Sequence, residues 1–343
     1  FKKLMNEPYP ELTPEEQGFM DGPLRKLCEI TNDWEIWKNR ELPKKVWDHL
    51  KKEKFFGMII PKEYGGLGFS ALAHSHVITT LASRSAPVTI SVMVPNSLGP
   101  AELLIHYGTE EQRKHYLPRL ARGEDIPCFG LTEPDFGSNP GGMVTRARKD
   151  GNDYILNGNK MWITNGSLSH LAIVWAKNDD GKIIGLIVDR DTKGFSVRNI
   201  ERKFSLCASI TSELIFEDCR VPASQMLQVQ GLKGPFACLN HARYGIGWGA
   251  IGAAMACYDE ALQYANSRIQ FDKPIAGFQL VQAKLVEMFT EITKAQALTL
   301  QVGRLKDEGK ALAQHISMIK MNNVPMALKI ARQTRDILGA SGI

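Results

Sequence analysis

Two short blocks carry residue types that could hold a ligand. The first is Phe129-Gly130-Leu131-Thr132-Glu133-Pro134-Asp135-Phe136-Gly137-Ser138-Asn139 and the second is Trp162-Ile163-Thr164-Asn165. In the first, two glycines and a proline surround two hydroxyl donors, Thr132 and Ser138. That composition suits a bent loop whose backbone N–H groups face a ligand with many acceptors. In the second, Trp162 stands two residues before Thr164, and residues two apart on a strand share a face. A flat, acceptor-rich heterocycle such as a flavin needs an aromatic plane and a hydroxyl so placed. The same residues also suit a Gly-Pro turn and an ordinary strand with a core tryptophan, and short motifs recur by chance.

Both blocks fall in a stretch whose apolar period differs from its surroundings. Residues 1–125 read as helical. Thr13 with Glu16, and Thr109 with Gln112, have capping-box spacing. Val46, Leu50, Phe55 and Phe56 give an apolar face ahead of Ile59-Ile60-Pro61, and Gly65-Gly66-Leu67-Gly68 reads as a loop. From 126 to 232 the pattern turns to short strands. Asn157-Gly158 between Tyr154–Leu156 and Lys160–Ile163 predicts one hairpin, and Asp179-Asp180-Gly181 between Leu171–Trp175 and Ile183–Val188 predicts another. Glu213–Phe216 is a further strand, ended by Val221-Pro222. This middle region is expected to be a small antiparallel barrel or sandwich. From 233 to 343 the chain is helical again, so the class is α+β. The run Gly245, Gly247, Gly249, Gly252 is unusual in a helix and implies close approach by a backbone or a ligand. Leu285, Met288, Phe289 and Ile292 form an i, i+3, i+4, i+7 stripe that reads as bundle packing. The final helix, Ala327–Leu338, is expected to stop at Gly339.

Composition narrows the function classes. The 343 residues are 43% hydrophobic and 23% charged, enough for two or three domains with large cores. The net charge of +5 is mild and scattered, which disfavours nucleic acid and is compatible with a phosphate-bearing small ligand. Six cysteines without a Cys-x-x-Cys pair, and no clustered histidines, indicate neither a disulfide framework nor a metal site. No apolar run reaches membrane-spanning length, and no secretory segment is seen. A bacterial cytoplasm or mitochondrial matrix is the expected setting. The first residue, Phe1, and the last, Ile343, just after a Gly-rich turn, suggest missing segments at both ends.

The two blocks resemble the flavin-contacting segments of the acyl-CoA dehydrogenase family, and Arg268-Ile269-Gln270-Phe271, Gln279 and Gly339-Ala340-Ser341-Gly342 follow in the family's order. The resemblance implies an N-terminal helical domain, a middle β-domain and a C-terminal helical bundle. It implies FAD as cofactor, an acyl-CoA substrate in fatty-acid β-oxidation, electron-transfer flavoprotein as acceptor, and a homodimer or homotetramer. Phe129, Leu131 and Thr132 would lie along the pyrimidine side of the isoalloxazine, with Trp162, Ile163 and Thr164 near its N5 region. Arg268, Phe271, Gln279, Asp336, Gly339 and Ala340 would hold the pyrophosphate and adenosine of a neighbouring subunit's FAD. The family has Gly-Gly-Asn-Gly where this chain has Gly-Ala-Ser-Gly, so Ala340 adds a methyl where positive φ is expected. Ser91, Ser138, Asn240, Arg243 and Tyr244 would serve the substrate. His241 reads as a surface or interhelix residue.

Within the family the likeness is a mosaic. Residues 1–128 resemble large bacterial long-chain acyl-CoA dehydrogenases, through Pro95-Asn96-Ser97-Leu98-Gly99-Pro100 and His115-Tyr116-Leu117-Pro118. Residues 129–343 resemble glutaryl-CoA dehydrogenase, through Lys203–Leu206, Cys238–Gly245 and Asn322–Ile343. Glutaryl-CoA enzymes hold the distal carboxylate with an arginine whose place falls here on Ile90, with Arg84 six residues upstream. An apolar residue there cannot offset the desolvation of a carboxylate, so the acyl tail is read as apolar. The catalytic glutamate of most members lies beyond the Gly-rich turn, past Ile343. The alternative position, before the channel arginine, is Ala242. The expected activity is FAD-dependent α,β-dehydrogenation by a fragment lacking its base. The alternative is a flavin- or acyl-CoA-binding homologue without that activity.

Overall fold

A computed structural model describes residues 11–96 and 99–343. Ser97 and Leu98 of the Pro95–Pro100 run lie outside the described residues. Among the described residues the first eight α-helices are α1 (Pro14–Phe19), α2 (Arg25–Ile30), α3 (Asp33–Asn39), α4 (Lys44–Lys52), α5 (Ala71–Ala82), α6 (Ala86–Met93), α7 (Pro100–Tyr107) and α8 (Glu110–Ala121). Both capping boxes form: Thr13 caps α1 with Glu16, and Thr109 caps α8 with Gln112. Leu27, Ile36, Val46, Leu50, Phe55 and Phe56 make the core of these helices with Val77 and Ile78 of α5.

The strands follow: β1 (Pro127–Gly130), β2 (Arg146–Asp150), β3 (Asp153–Thr164), β4 (Leu171–Lys177), β5 (Ile183–Asp189), β6 (Phe195–Asn199), β7 (Thr211–Pro222) and β8 (Met226–Gln230). They form one sheet in the order β6-β7-β3-β2-β4-β5-β8, with β1 parallel to β4. Strand β4 is buried on both faces. Leu171, Ile173 and Trp175 pack toward α7 and α8, while Ala172, Val174 and Ala176 join the interior of the β-domain.

The Asp179–Gly181 hairpin forms between β4 and β5, with Gly181 at φ +73°. The Asn157-Gly158 hairpin does not. β3 runs straight through it, and the turn sits at Gly151 instead. Gly158 has φ +142°, and a Cβ there would lie 2.7 Å from the Thr145 Cα, so its glycine serves close strand contact at a register shift. Asn157 exchanges hydrogen bonds with Asp218 across to β7, at 3.0 and 2.9 Å.

The C-terminal part comprises α9 (Lys233–Ser267), the short hairpin β9 (Ile269–Gln270) and β10 (Lys273–Pro274), then α10 (Gln279–Asp307) and α11 (Ala313–Leu338). Of the α9 glycines, Gly252 admits a backbone: a Cβ there would lie 2.1 Å from the Thr79 carbonyl oxygen of α5, while Gly247 and Gly249 face the side chains of Ile319 and of Ile78 and Ala82. Asn323 of α11 registers the bundle by donating to the Gly247 carbonyl at 3.1 Å and to Thr299 Oγ1 at 2.8 Å. In the α10 stripe Leu285, Met288 and Ile292 are buried, but Phe289 is 57% exposed, which corrects its reading as packed.

Candidate functional site

The two blocks meet. Phe129, Leu131, Thr132, Ser138, Trp162, Ile163, Thr164 and Arg243 line one cavity of about 480 Å³, completed by Val94 from just past α6 and by Phe236 and Leu239 of α9. The Met161 N–H donates to the Thr132 carbonyl at 2.8 Å, so the loop after β1 is fastened to β3 at the position before Trp162. Arg243 donates from Nη1 to Asn240 Oδ1 at 2.9 Å, which places Asn240 beside the cavity.

A register shift between Lys160 and Ile163 releases Trp162 from the ladder. Trp162 takes φ +63° and remains 55% exposed. A bulky residue in the left-handed region is an outlier that costs about 1–3 kcal/mol and persists only where its surroundings enforce it. Trp162 and Thr164 share the cavity, with Ile163 between them, through this bulge rather than by strand alternation, and Trp162 is not a core residue. The Thr132 and Ser138 hydroxyls make no hydrogen bond to protein among the described residues, and their donors are available to an acceptor-rich ligand.

The device that holds this arrangement was not anticipated. Lys160 and Glu133 form a fully buried ion pair at 2.8 Å. Lys160 also donates to the Leu131 carbonyl at 3.2 Å. Glu133 accepts the Val144 and Thr145 N–H groups at 2.7 and 3.0 Å. Burial would raise the Glu133 carboxyl, but the hydrogen bonds from Lys160, Thr145 and Val144 prevail and hold it below its ordinary value. Burial pushes the Lys160 ammonium down to about 8, against the hydrogen bond and charge of Glu133. The available signal was a glutamate inside the first block and a lysine two residues before Trp162.

An adjoining cavity of about 430 Å³ shares Trp162 and Thr164 and is lined by Ile90, Glu201, Arg202 and Phe204, among others. Arg84 is directed elsewhere, its Nε donating to the Cys28 carbonyl at 3.3 Å. Ser91 and Tyr244 do not join the first cavity. Ser91 is buried and lines a separate cavity with Leu42, Trp47 and Asn165. Tyr244 is buried on the other side of α9, where its hydroxyl accepts from Ser75 Oγ at 3.2 Å. Both came from the family resemblance, which does not fix the helix face a residue presents.

The remaining predicted residues gather at the far end of the helical bundle. Arg268 caps α9 and is exposed. Phe271 sits at the tip of the β9–β10 hairpin, 87% exposed with φ +53°. Gln279 opens α10, and Asp336 near the end of α11 pairs with Lys284 of α10. Gly339 takes φ +58°, whereas Ala340 lies in the following turn and is not among the positive-φ residues. The strain expected of Ala340 is therefore absent, because the glycine before it absorbs the reversal.

Family models bear on the same three regions. The N-terminal, middle and C-terminal domains of acyl-CoA dehydrogenase match residues 24–124, 128–219 and 230–343. The chain belongs to the acyl-CoA dehydrogenase family. This is a family of FAD-binding oxidoreductases with the helical, β and helical order described above. A glutaryl-CoA dehydrogenase from Mycobacterium smegmatis in complex with FADH2 is similar at 42% identity and a TM-score of 0.90, over 97% of this chain and 86% of that one. A probable acyl-CoA dehydrogenase, YngJ, from Bacillus subtilis is 36% identical over 88% of this chain and 81% of its own length. An acryloyl-CoA reductase (NADH) from Anaerotignum propionicum is 34% identical over 95% and 85%. No helix among the described residues is long and apolar enough to cross a membrane.

The ion pair gives a direct test. Lys160→Met leaves Glu133 buried and unpaired, and should lower unfolding stability by about 3–5 kcal/mol. Adding Glu133→Gln should recover much of that loss. Urea unfolding of the two single variants and the double variant measures the coupling; additive losses would contradict it.

Proposed function

We propose that this acyl-CoA dehydrogenase family member seats the isoalloxazine of FAD in the 480 Å³ cavity and acts on acyl-CoA thioesters with apolar tails. The carrying observation is the convergence of Thr132 and Trp162, 30 residues apart (162 minus 132), on one cavity through the Met161-to-Thr132 hydrogen bond. The residues fit the cofactor. Thr132 and Thr164 offer hydroxyls, Trp162 offers an exposed aromatic face held by a strained backbone, and Phe129, Leu131 and Ile163 supply apolar walls. When bound, FAD supplies the hydride acceptor for oxidation of the Cα–Cβ bond. Ser138 is read as the contact toward the CoA portion. Arg243, oriented by Asn240, sets a fixed positive charge on the helix wall facing the substrate space.

Among the described residues lining that cavity there is no carboxylate. Glu201 lines the adjoining cavity and not this one, on an exposed segment. None of the side chains lining the first cavity is placed to take the α-proton; a flavin- and acyl-CoA-binding homologue that does not dehydrogenate is the second reading. Ile90 beside Trp162 and Thr164 supports the apolar tail, and Arg202 and Lys203 are the cations that line the same cavity.

The FAD-loaded 343-residue chain, mixed anaerobically with octanoyl-CoA, tests these points together. A missing general base typically costs 10²–10⁴-fold, so flavin bleaching should be slow. Octanoyl-CoA should perturb the flavin spectrum at a concentration at least about tenfold lower than glutaryl-CoA, as a carboxylate desolvated against Ile90 costs more than about 1.4 kcal/mol. Prompt bleaching that survives Glu201→Gln would reveal a base unaccounted for. Equal or tighter binding of glutaryl-CoA would overturn the apolar reading.

Arg268 is capped onto α9 25 residues beyond Arg243 (268 minus 243), about 38 Å along the helix. It is read as serving the pyrophosphate of a partner subunit's FAD, with Phe271, Gln279, Asp336, Gly339 and Ala340 around it. An exposed phenylalanine in the left-handed region supports a covered position in the assembly. Arg268→Ala should weaken FAD binding by about tenfold to a hundredfold, the worth of one charge-assisted hydrogen bond, without altering the melting profile of the apoprotein. Unchanged FAD affinity, or FAD retained by a monomer in sedimentation, would contradict the shared site.

A further inference from the structure

Behind α9 lies a second polar cavity, of about 300 Å³, whose lining includes His74, Glu102, His106, His241, Tyr244 and Lys306. It is enclosed by α5, α7, α9 and α10, so both helical regions contribute. Glu102 Oε1 takes both nearby imidazoles, His106 Nε2 and His241 Nδ1, each at 2.9 Å. The second nitrogen of each ring has no hydrogen bond among the described residues. His74 is 5% exposed, and its Nε2 is buried without a partner. Lys306 forms neither a hydrogen bond nor an ion pair among the described residues; the Tyr244 ring lies 5.8 Å from its Nζ.

These groups are short of acceptors. Glu102 is the one carboxylate in the lining, and it is already engaged twice. Of the nearby acids, Glu16 is taken up by the Ser70 N–H at 2.8 Å and by Thr13, while Asp307 follows Lys306 at the exposed end of α10. Of the lining groups, His74 Nε2 is buried without a partner, and an occupant with oxygen acceptors would relieve it. With both imidazoles neutral, Lys306 and Glu102 cancel; each protonation adds one positive charge.

We propose that this cavity binds a small oxyanion, a carboxylate or a phosphate, on Lys306 and the free nitrogens of His106 and His241, with His74 as a neutral donor at its floor. The site is independent of the flavin reading. Its neighbour on α9, Arg243, faces the first cavity, so one helix carries both. Burial, and then the charge of Lys306, hold His74 uncharged by pushing its pKa down to about 4, so it can donate a proton without repelling Lys306. The hydrogen bond to Glu102 raises the His106 pKa, and the cavity therefore gains charge on moving down through neutral pH. Anion affinity should rise in the same direction.

The test is imidazole NMR of the intact chain titrated with sodium acetate and with inorganic phosphate at about pH 6 and about pH 8. Saturating shifts are expected at His74, His106 and His241 and not at His170, at lower ligand concentration in the more acidic buffer. The anion that saturates first identifies the headgroup. Lys306→Met should weaken binding at least about tenfold and Lys306→Arg should retain it, with unchanged melting temperatures for both. Shifts that stay linear and equal at His170, meaning water alone occupies the cavity, would overturn the proposal. So would saturable binding undiminished in Lys306→Met when that variant melts normally.

Discussion

A lysine and a glutamate with essentially no solvent exposure set the geometry on which the candidate site depends. Taking both charges out of water costs several kcal/mol per ion, and the arrangement is tolerable only because each is held by more than its partner. Glu133 collects two backbone N–H groups from the segment leading into β2, and Lys160 reaches the carbonyl of Leu131. One charge pair therefore joins three segments: the loop carrying Thr132, the strand carrying Trp162, and the entry to β2. If any of them moved, a buried charge would lose its partner. The cavity is preorganised for that reason.

Trp162 draws on the same rigidity. Its left-handed backbone would relax in a free strand. Here Met161 is hydrogen-bonded to Thr132 on one side, and Ile163 rejoins β7 opposite Ser212 on the other. The chain between two fixed points holds one residue more than the ladder can use, and the surplus residue presents its ring to the cavity. Helix α9 supplies the facing wall. Its glycines bring it against α5, so Leu239 and Arg243 are positioned by backbone contact and by Asn323.

What the sequence made legible was what neighbours in sequence decide. The capping boxes at Thr13 and Thr109 and the hairpin at Gly181 follow local rules and form, whereas Trp162 and Thr164 meet at the cavity through the bulge at Trp162 rather than through strand alternation. The Asn157-Gly158 pair misled because its glycine answers to Thr145, a residue of another segment whose approach no local pattern reveals. Glu133 and Lys160 stand 27 residues apart and went unpaired for the same reason. Ser91 and Tyr244 were given by the family resemblance, but successive residues on a helix face different directions, and neither lines the first cavity. The family resemblance carried the overall order of domains and the cofactor, and long-range packing decided which members of each motif point inward.

The central claim is that the cavity between Thr132 and Trp162 is the seat of the flavin ring. Titrating the apoprotein with FAD while following tryptophan emission tests it most directly, because Trp162 is one of six tryptophans and stands at the cavity wall. The account predicts saturable quenching in the wild-type chain, with the greater part of it lost in Trp162→Phe although that variant still binds FAD by flavin anisotropy. Quenching of equal amplitude in Trp162→Phe would put the ring elsewhere and contradict the account.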